Sequence, residues 1–159
     1  MNLDTQWIVG YIDSKGQFLV NLKEVKSTNV STFSNLPKEG EINHSHIQIL
    51  PEFKISTHRR DIQILYAFKR HFKCGIVKYE GNSSNEINCE ELDLCSYNIT
   101  KLDNLYTNVL PFFEKHKLKS KTRIDFEKFR VIIRLLIEKK HLTLKGFHKI
   151  TKLVKDLEK

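Results

Sequence analysis

Apolar residues at helical spacing open the chain. Trp7, Ile8 and Tyr11 fall at intervals that place them on neighbouring positions of one helix face. Asp4, a residue type that caps helix N-termini, precedes them, and Gly16 follows them. The pattern therefore predicts an N-terminal helix that begins after Asp4 and ends at Gly16.

Alternation of apolar and polar residues predicts two strands, over residues 17–23 and 47–58. Residues 27–46 between them are polar, which is typical of a long surface loop or an open hairpin end. Pro51 indicates a bulge or an edge position, because proline cannot donate a ladder hydrogen bond. One face of the two strands is apolar, with Phe18, Val20, Leu22, Ile47, Ile49, Phe53 and Ile55. The opposite face is polar, with Gln17, Asn21, Lys23, Gln48, Lys54, Ser56 and His58.

A second helix and two further strands follow. The apolar stripe of residues 60–73 predicts the helix, and residues 76–79 form a short strand after Gly75. We predict a fourth strand over residues 87–98. Acidic groups on that strand would weaken attraction for a polyanion, and it carries Glu90, Glu91 and Asp93.

Helices complete the chain. Thr100 is predicted to cap a helix that Pro111 bends or ends, and residues 122–139 and 143–157 form two more helices. The order is α-β-β-α-β-β-α followed by helices. We therefore predict an α+β fold, in a single domain over residues 1–159.

Positive charge is concentrated in the C-terminal third. The formal net charge is +8, yet residues 115–159 hold 15 Lys and Arg against 5 Asp and Glu, whereas residues 1–114 hold 12 against 14. Each lysine alone could belong to a solvated helix face, but the whole segment favours nucleic acid as a partner. The cations expected to contact it are Lys117, Lys119, Lys121 and Arg123.

A nine-residue motif gives the chain a family resemblance. Residues 8–16 read Ile-Val-Gly-Tyr-Ile-Asp-Ser-Lys-Gly and resemble the LAGLIDADG motif at Gly10, Tyr11, Ile12, Asp13 and Gly16. Similar segments follow in the family's order along nearly the whole chain, at residues 51–55, 61–65, 74–76, 110–113, 118–121 and 141–143. The chain thus resembles a single-motif member of the LAGLIDADG homing-endonuclease family, with a degenerate motif.

The resemblance implies a fold and a mode of action. In this family the motif helix lies at a two-fold interface, single-motif members form homodimers, and curved sheets straddle the DNA major groove. The last acid of the motif lies beside the scissile phosphates, where two carboxylates share divalent metals, usually magnesium. The resemblance also makes the polar strand face a base-reading surface. It assigns to the motif and its interface Trp7, Val9, Gly10, Tyr11 and Gly16.

The motif departs from the family at the positions that matter for catalysis and pairing. Lys15 stands where the family has its metal-binding acid, and a protonated lysine offers magnesium no lone pair and repels it. Val9 replaces the small residue expected for close helix approach. Asp13 is expected either to support the turn after the helix or to act as a substitute metal ligand. No metal site is predicted from the scattered Cys and His residues.

Three functions remain open on the sequence. The first is a nucleic-acid-binding protein that kept the fold and lost cleavage, as a DNA-binding relic, an intron maturase, or a protein recruited to structured RNA such as ribosomal RNA. The second is an active homing endonuclease that makes magnesium-dependent double-strand cuts, with Asp13, Glu52 or Asp93 as the replacement ligand. The third is a protein-interaction module, which the basic C-terminal third argues against.

Assembly and location are also expectations. The motif helix should be covered by a second copy or by a different protein. No membrane partner is expected, because no stretch approaches 18 apolar residues, and the first residues lack the features of a signal or transit peptide. A single alanine among many Lys, Ile, Leu and Asn fits an AT-rich genome, so we expect an intron-encoded organellar protein, mitochondrial or alternatively chloroplast. No cofactor is expected, except magnesium if the chain cuts DNA.

Overall fold

Helices and strands follow the predicted order in the computed structural model, which describes residues 2–24, 47–80 and 93–158. The first half contains α1 (Thr5–Lys15), β1 (Gly16–Glu24), β2 (Ile47–His58), a 3-10 turn (Arg59–Asp61), α2 (Ile62–Phe72) and β3 (Ile76–Tyr79). The second half contains β4 (Leu94–Ile99), α3 (Leu102–Asn104), a π-helical turn (Leu105–Val109), α4 (Leu110–Lys115), α5 (Lys121–Ile137), a second 3-10 turn (Lys140–Leu142) and α6 (Leu144–Leu157). The predicted α+β class and element order are confirmed.

Within the described ranges the strands form one antiparallel sheet in the order β1-β2-β4-β3. Phe18 pairs with Phe53 and Phe53 pairs with Ile99, so these side chains share one face. All three are buried, and the Phe18 ring lies 5.2 Å from that of Phe129 on α5. The helices therefore cover this face, and the opposite face carries the polar residues of the strands.

Two glycines are fixed by space. Gly16 ends α1 as predicted. Its φ of −74° is one that any residue adopts, so steric contact and not backbone conformation explains the glycine. A Cβ at Gly16 would lie 2.6 Å from Ile12 Cγ2 and 2.8 Å from the Ile12 carbonyl oxygen. Gly75 has a φ of +89°, and a Cβ there would lie 2.6 Å from the Tyr97 ring. Both positions exclude any side chain without a shift of their neighbours.

Only part of the predicted fourth strand falls on residues that the structure describes. It begins at Leu94, while Glu90 and Glu91 lie outside the described residues. Asp93 precedes the strand and its carbonyl accepts a hydrogen bond of 2.7 Å from the Arg59 N–H. The outward positions of β4 are occupied by Leu94, Ser96 and Asn98, so this face of the described strand is uncharged.

Proline and cap positions differ from the predictions in detail. Thr100 is not the cap of α3, because that position belongs to Lys101, which makes no side-chain cap bond. The helix does not end at Pro111 but continues to Lys115, after a π-helical turn that directly precedes α4. Pro51 pairs with Val20 in an unbroken register and lies beyond the reach of β4, which is an edge-like position without a bulge. No helix in the described ranges is long and apolar enough to cross a membrane.

Candidate nucleic-acid interface

The motif helix α1 buries one side against the sheet. Ile8, Val9 and Ile12 are all 5 % exposed or less, because positions one and four apart fall on one side of a helix. Val9 was expected at the helix-pairing interface, and that prediction is wrong, since its side chain belongs to the core. The valine therefore places no bulk on the surface of α1 and does not hold a second helix away.

The outward side of α1 combines an aromatic residue with small residues. Trp7 is 42 % exposed, and its ring stacks on Tyr11 at 5.0 Å and on Phe68 of α2 at 6.1 Å. Gly10 is exposed, and a Cβ placed on it would meet no atom within 4 Å. Ser14 is exposed one turn further on. This side of the motif helix is open to the close approach of another chain.

Asp13 is engaged by a distant part of the chain. Its carboxylate accepts hydrogen bonds of 2.9 Å from the N–H groups of Lys119 and Ser120, and Ser120 Oγ lies 2.7 Å from Oδ1. The Asp13 carbonyl oxygen also accepts a bond of 2.9 Å from Thr122 Oγ1. Ser120 is in turn the N-cap of α5. Asp13 therefore joins the end of α1 to the start of α5.

The electrostatics of Asp13 agree with this structural role. Partial burial opposes ionisation, but the hydrogen bonds from Ser120 and Lys119 outweigh it, so the pKa of the Asp13 carboxyl lies below its ordinary value. Both carboxylate oxygens already face donors. A divalent ion would have to displace those donors, which makes Asp13 a poor substitute for the missing metal ligand.

Lys15 ends α1 at the position of the family's metal-binding acid. Its side chain is exposed, and Nζ lies 5.5 Å from the centre of the Tyr11 ring. A cation in the last turn also suits the negative end of the helix dipole. Lysine is thus well accommodated here, by contacts that a carboxylate at this place would not make.

The other carboxylates proposed as replacement ligands are also occupied. Glu52 on β2 accepts a short hydrogen bond from Asn98 Nδ2. Asp93, which directly precedes β4, lies 3.9 Å from the Arg59 guanidinium. Within the three described ranges no three His, Cys, Asp or Glu side chains come together as a metal site. The residues at the end of the motif helix therefore do not fit the magnesium ions that the family resemblance implies.

The polar strand face is assembled as predicted. Gln17 pairs with Lys54 and Lys23 pairs with Gln48, which places strands β1 and β2 with the same face outward. The fully exposed members of the predicted set are Gln17, Asn21, Lys23 and Gln48, and the half-buried members are Lys54, Ser56 and His58. Amides and a lysine at these positions have the hydrogen-bonding capacity to contact base edges.

Two residues of this face, Lys54 and His58, already contact other parts of the chain. Lys54 Nζ lies 2.5 Å from Glu80, and the bond from Lys54 lowers the pKa of the Glu80 carboxyl. Lys54, predicted to contact nucleic acid, is therefore not a free cation in this structure. His58 Nδ1 accepts a bond of 3.2 Å from the Arg60 N–H and caps the 3-10 turn.

Sequence reasoning missed the contribution of β4 to the face. Ser96 and Asn98 lie opposite Ser56 and Lys54 and are joined by a hydrogen bond of 2.8 Å. Both are buried, so they support the face and do not extend its exposed surface. The alternation of polar and apolar residues in Leu94–Ile99 could have predicted that both side chains point outward. It could not have predicted their partners on β2, because those residues are distant in sequence.

The predicted basic residues of the C-terminal third are displayed next to α1. Leu118 is only 1 % exposed and anchors the segment between α4 and α5, while its neighbours point outward. We name the three lysines of this stretch, Lys117, Lys119 and Lys121, the α5-entry lysines. They and Arg123 are all exposed, and none forms an ion pair with a described residue. With Lys15, they surround the end of the motif helix with positive charge.

Comparison with known proteins identifies the family. A family model described as LAGLIDADG endonuclease matches residues 8–133, and the chain belongs to that family. A probable intron-encoded endonuclease 2 of Neurospora crassa is 27% identical over 157 residues, which cover 87% of this chain and 33% of the relative. An uncharacterized 50.9 kDa protein in ND4 intron 1 of Podospora anserina is 26% identical over 89% of this chain and 26% of its own length. The chain spans a third or less of these curated relatives.

Solved structures agree with this assignment. The homing endonuclease I-TnaI is 33% identical with a TM-score of 0.77, and the match covers 98% of this chain and 88% of that protein. The meganuclease I-SmaMI, solved bound to uncleaveable DNA, is 21% identical with a TM-score of 0.74, over 96% of this chain and 44% of its own. The second likeness shows the shared fold alone. The resemblance found in the motif is thereby confirmed.

Proposed function

We propose that this chain is a nucleic-acid-binding member of its family that binds duplex DNA and does not cut it. The observation that carries the proposal is the end of the motif helix, where Lys15 stands in place of the metal-binding acid. Asp13 cannot substitute without releasing Ser120 and Lys119, and Glu52 is held by Asn98. A magnesium site needs several oxygen ligands, but this position carries the positive charge of Lys15 instead.

Binding is supported by two surfaces that meet near the end of α1. The outward strand face offers Gln17, Asn21 and Gln48 for base edges, and the α5-entry lysines offer charge for phosphates. I-SmaMI, which shares the fold, was solved with DNA. The unpaired cations also make structured RNA the second candidate partner, since a phosphate backbone can be recognised by shape.

The proposal is tested by a cleavage assay. Purified protein is incubated with magnesium and a plasmid library that spans candidate intron-insertion sites. We expect no linear product, because each site of a symmetric assembly carries Lys15 instead of a carboxylate. A linear product that disappears with a chelator would overturn the proposal.

Binding must be scored in the same samples, because a protein that neither binds nor cuts would be uninformative. Gel shifts with each library fraction identify the bound sequence first. Lys15→Asp is then compared with Lys15→Gln on that sequence. Magnesium-dependent cutting by Lys15→Asp alone would show that the missing acid is the only defect, whereas inactivity of both variants would show that the rest of the site has also changed.

We further propose an intron-encoded origin and a mitochondrial location. The support is the similarity to two intron-encoded endonucleases of Neurospora crassa and to a protein in ND4 intron 1 of Podospora anserina. The single alanine of the sequence is consistent with an AT-rich genome. Fractionation of source cells with an antibody against the chain tests this, and the protein should be recovered with mitochondria.

A further inference from the structure

A groove runs along α2 and continues to the start of α3. Its first part is lined by Gln63, Tyr66, Lys69, Arg70, Lys73 and Cys74. Its second part shares Lys73 and Cys74 and extends to Thr100, Lys101 and Asn104. Lys73 and Cys74 line both parts, so the two depressions adjoin at the C-terminal end of α2, and together they are called the groove.

Helix geometry explains why these side chains converge. Gln63, Tyr66, Arg70 and Lys73 are three or four residues apart and lie along one side of α2, opposite the buried Leu65, Phe68 and Phe72. Two hydrogen bonds hold the base of the groove in place. The Cys74 carbonyl oxygen accepts a bond of 2.6 Å from the Tyr97 hydroxyl, and Asn108 Nδ2 lies 3.3 Å from Cys74 Sγ. The groove is therefore held open by rigid elements.

Its charge is positive and unbalanced. Lys69, Arg70, Lys73 and Lys101 are exposed, and no residue that lines the groove is acidic. None of these four cations forms an ion pair with a described residue, whereas Arg130, Arg134 and Lys140 each pair with a glutamate. Unpaired cations along a groove attract a polyanion and release its counterions on binding.

The uncharged lining residues narrow the choice of polyanion. Tyr66 is 40 % exposed beside Arg70 and Lys69, and an exposed ring among cations provides a stacking surface for an unpaired base. Gln63, Thr100 and Asn104 supply donors and acceptors along the groove, as recognition of a ribose 2′-hydroxyl requires.

The α2 part of the groove is separate from the DNA-binding surface proposed above, whereas its second part reaches the sheet at Ile76 and Asn98. The buried side of α2 packs on the core face of the sheet, so the opposite side of α2 points away from the sheet. The polar strand face lies on the other side of the same sheet. We propose that the groove is a second binding site, for a single-stranded RNA segment with unpaired bases.

The test measures fluorescence anisotropy of a labelled, unstructured RNA of about 12 nucleotides, a length within the range of single-strand sites. The full chain is compared with the triple variant Lys69→Glu/Arg70→Glu/Lys73→Glu at fixed ionic strength. The matched control is Lys145→Glu/Lys149→Glu/Lys152→Glu, which makes the same charge change at exposed positions on α6. A second pair is Tyr66→Ala and Tyr106→Ala, whose side chains are 40 % and 42 % exposed.

We expect the groove triple variant to lose affinity for RNA by roughly tenfold or more, with a shallower salt dependence, and the α6 variant to lose far less. Tyr66→Ala should weaken binding and Tyr106→Ala should not. Duplex DNA binding through the strand face should survive the groove substitutions, so a failure here leaves the proposed function standing. Equal losses in both triple variants would overturn the proposal.

The remaining measurements determine which kind of ligand the groove binds. Single-stranded DNA of the same sequence should bind more weakly, and equal binding would overturn the assignment to RNA. Polyglutamate should compete poorly, and full competition together with an inert Tyr66→Ala would assign the groove to an acidic protein. Full competition by duplex DNA would show that there is one site instead of two.

Discussion

Asp13 shows at the scale of a residue how a motif acid can be structural. The carboxylate faces two backbone N–H groups and a hydroxyl, all from the segment that enters α5. Hydrogen bonds to a charged acceptor are among the stronger ones in a protein. The acid therefore stabilises the junction between α1 and α5, whatever the chain does with nucleic acid.

Asp13→Ala should reduce the free energy of unfolding by about 1 to 3 kcal/mol, because several hydrogen bonds to one charged acceptor are removed. Urea unfolding at neutral pH measures the loss. Asp103→Ala is the control, since Asp103 is exposed and its carboxylate makes no hydrogen bond or ion pair with the described residues. A loss no larger than that of the control would contradict the structural role.

The same substitution carries a pH signature. The pKa of Asp13 is lowered in the folded chain, so its contribution is complete above the unfolded value of about 4 and is lost as the pH falls through the folded pKa. The stability difference between the full chain and Asp13→Ala should therefore shrink below about pH 4. A difference that stays constant under acid would show that the carboxylate charge does not matter.

Gly10 and Gly16 give opposite predictions from the same substitution. Gly16→Ala should cost about 1 to 3 kcal/mol, because its Cβ would lie 2.6 Å from Ile12 Cγ2. Gly10→Ala should gain roughly 0.5 to 1 kcal/mol, because its Cβ meets nothing and alanine favours helix. Thermal or urea unfolding at low protein concentration, where association contributes least, separates the two. Equal effects would contradict the contact at Ile12.

At the scale of elements, local periodicity predicted most of the helices and strands. Helices α1, α5 and α6 and strands β1 to β3 are close to their predicted bounds, because their amphipathic spacing is a property of neighbouring residues. The π-helical turn before Pro111 has no such local signature. The described strand β4 begins at Leu94, and the earlier part of the predicted strand, residues 87–92, lies outside the described residues.

The candidate site was predictable only where one element defines it. The outward face of β1 and β2 follows from alternation, and Lys15 follows from its place in the motif. The bond from Ser120 to Asp13 joins residues 107 positions apart. The Lys54–Glu80 ion pair joins β2 to the residue after β3, and β4 lies between these two strands in the sheet. Such contacts depend on packing, so the sequence could not show that Lys54 is paired with Glu80 or that the side chain of Val9 is buried in the core.

The segment between α4 and α5 should matter more for nucleic-acid affinity than the strand cations. Charge reversal of the α5-entry lysines should weaken binding more than reversal of Lys23 and Lys54, because Lys54 is already neutralised by Glu80. Each phosphate that a variant no longer neutralises should also reduce the slope of log affinity against log salt by about 1. The variants are compared at fixed ionic strength, against duplex DNA and structured RNA of equal length.

Two results of that comparison would be decisive. Dominance of the strand pair with a preference for duplex DNA would support an endonuclease-like saddle and contradict the expected ranking. Dominance of the α5-entry lysines with a preference for RNA would confirm the ranking but contradict duplex DNA as the partner proposed above. The charge-matched control is again the α6 triple variant, whose lysines lie on a separate helix.

At the scale of the whole molecule, the outward side of α1 is the surface that still needs a partner. A shallow, largely apolar depression next to it is lined by Asn2, Leu3, Asp4, Trp7 and Ile64. Exposed aromatic and apolar side chains grouped in this way mark an interface. A two-fold arrangement would bring Gly10 and Ser14 of one copy against the same residues of the other, since a symmetric interface uses one patch twice.

We therefore predict that the chain associates through α1. Sedimentation should show a species larger than the 18.8 kDa monomer, or aggregation when a natural partner protein is absent. Gly10→Leu should weaken association without unfolding the chain, because Gly10 is exposed and a Cβ placed on it points into open space. Lys152→Leu, at an exposed position on α6, is the control and should leave association unchanged. A stable monomer at high concentration, or equal behaviour of the two variants, would show that α1 is not the surface through which the molecule assembles.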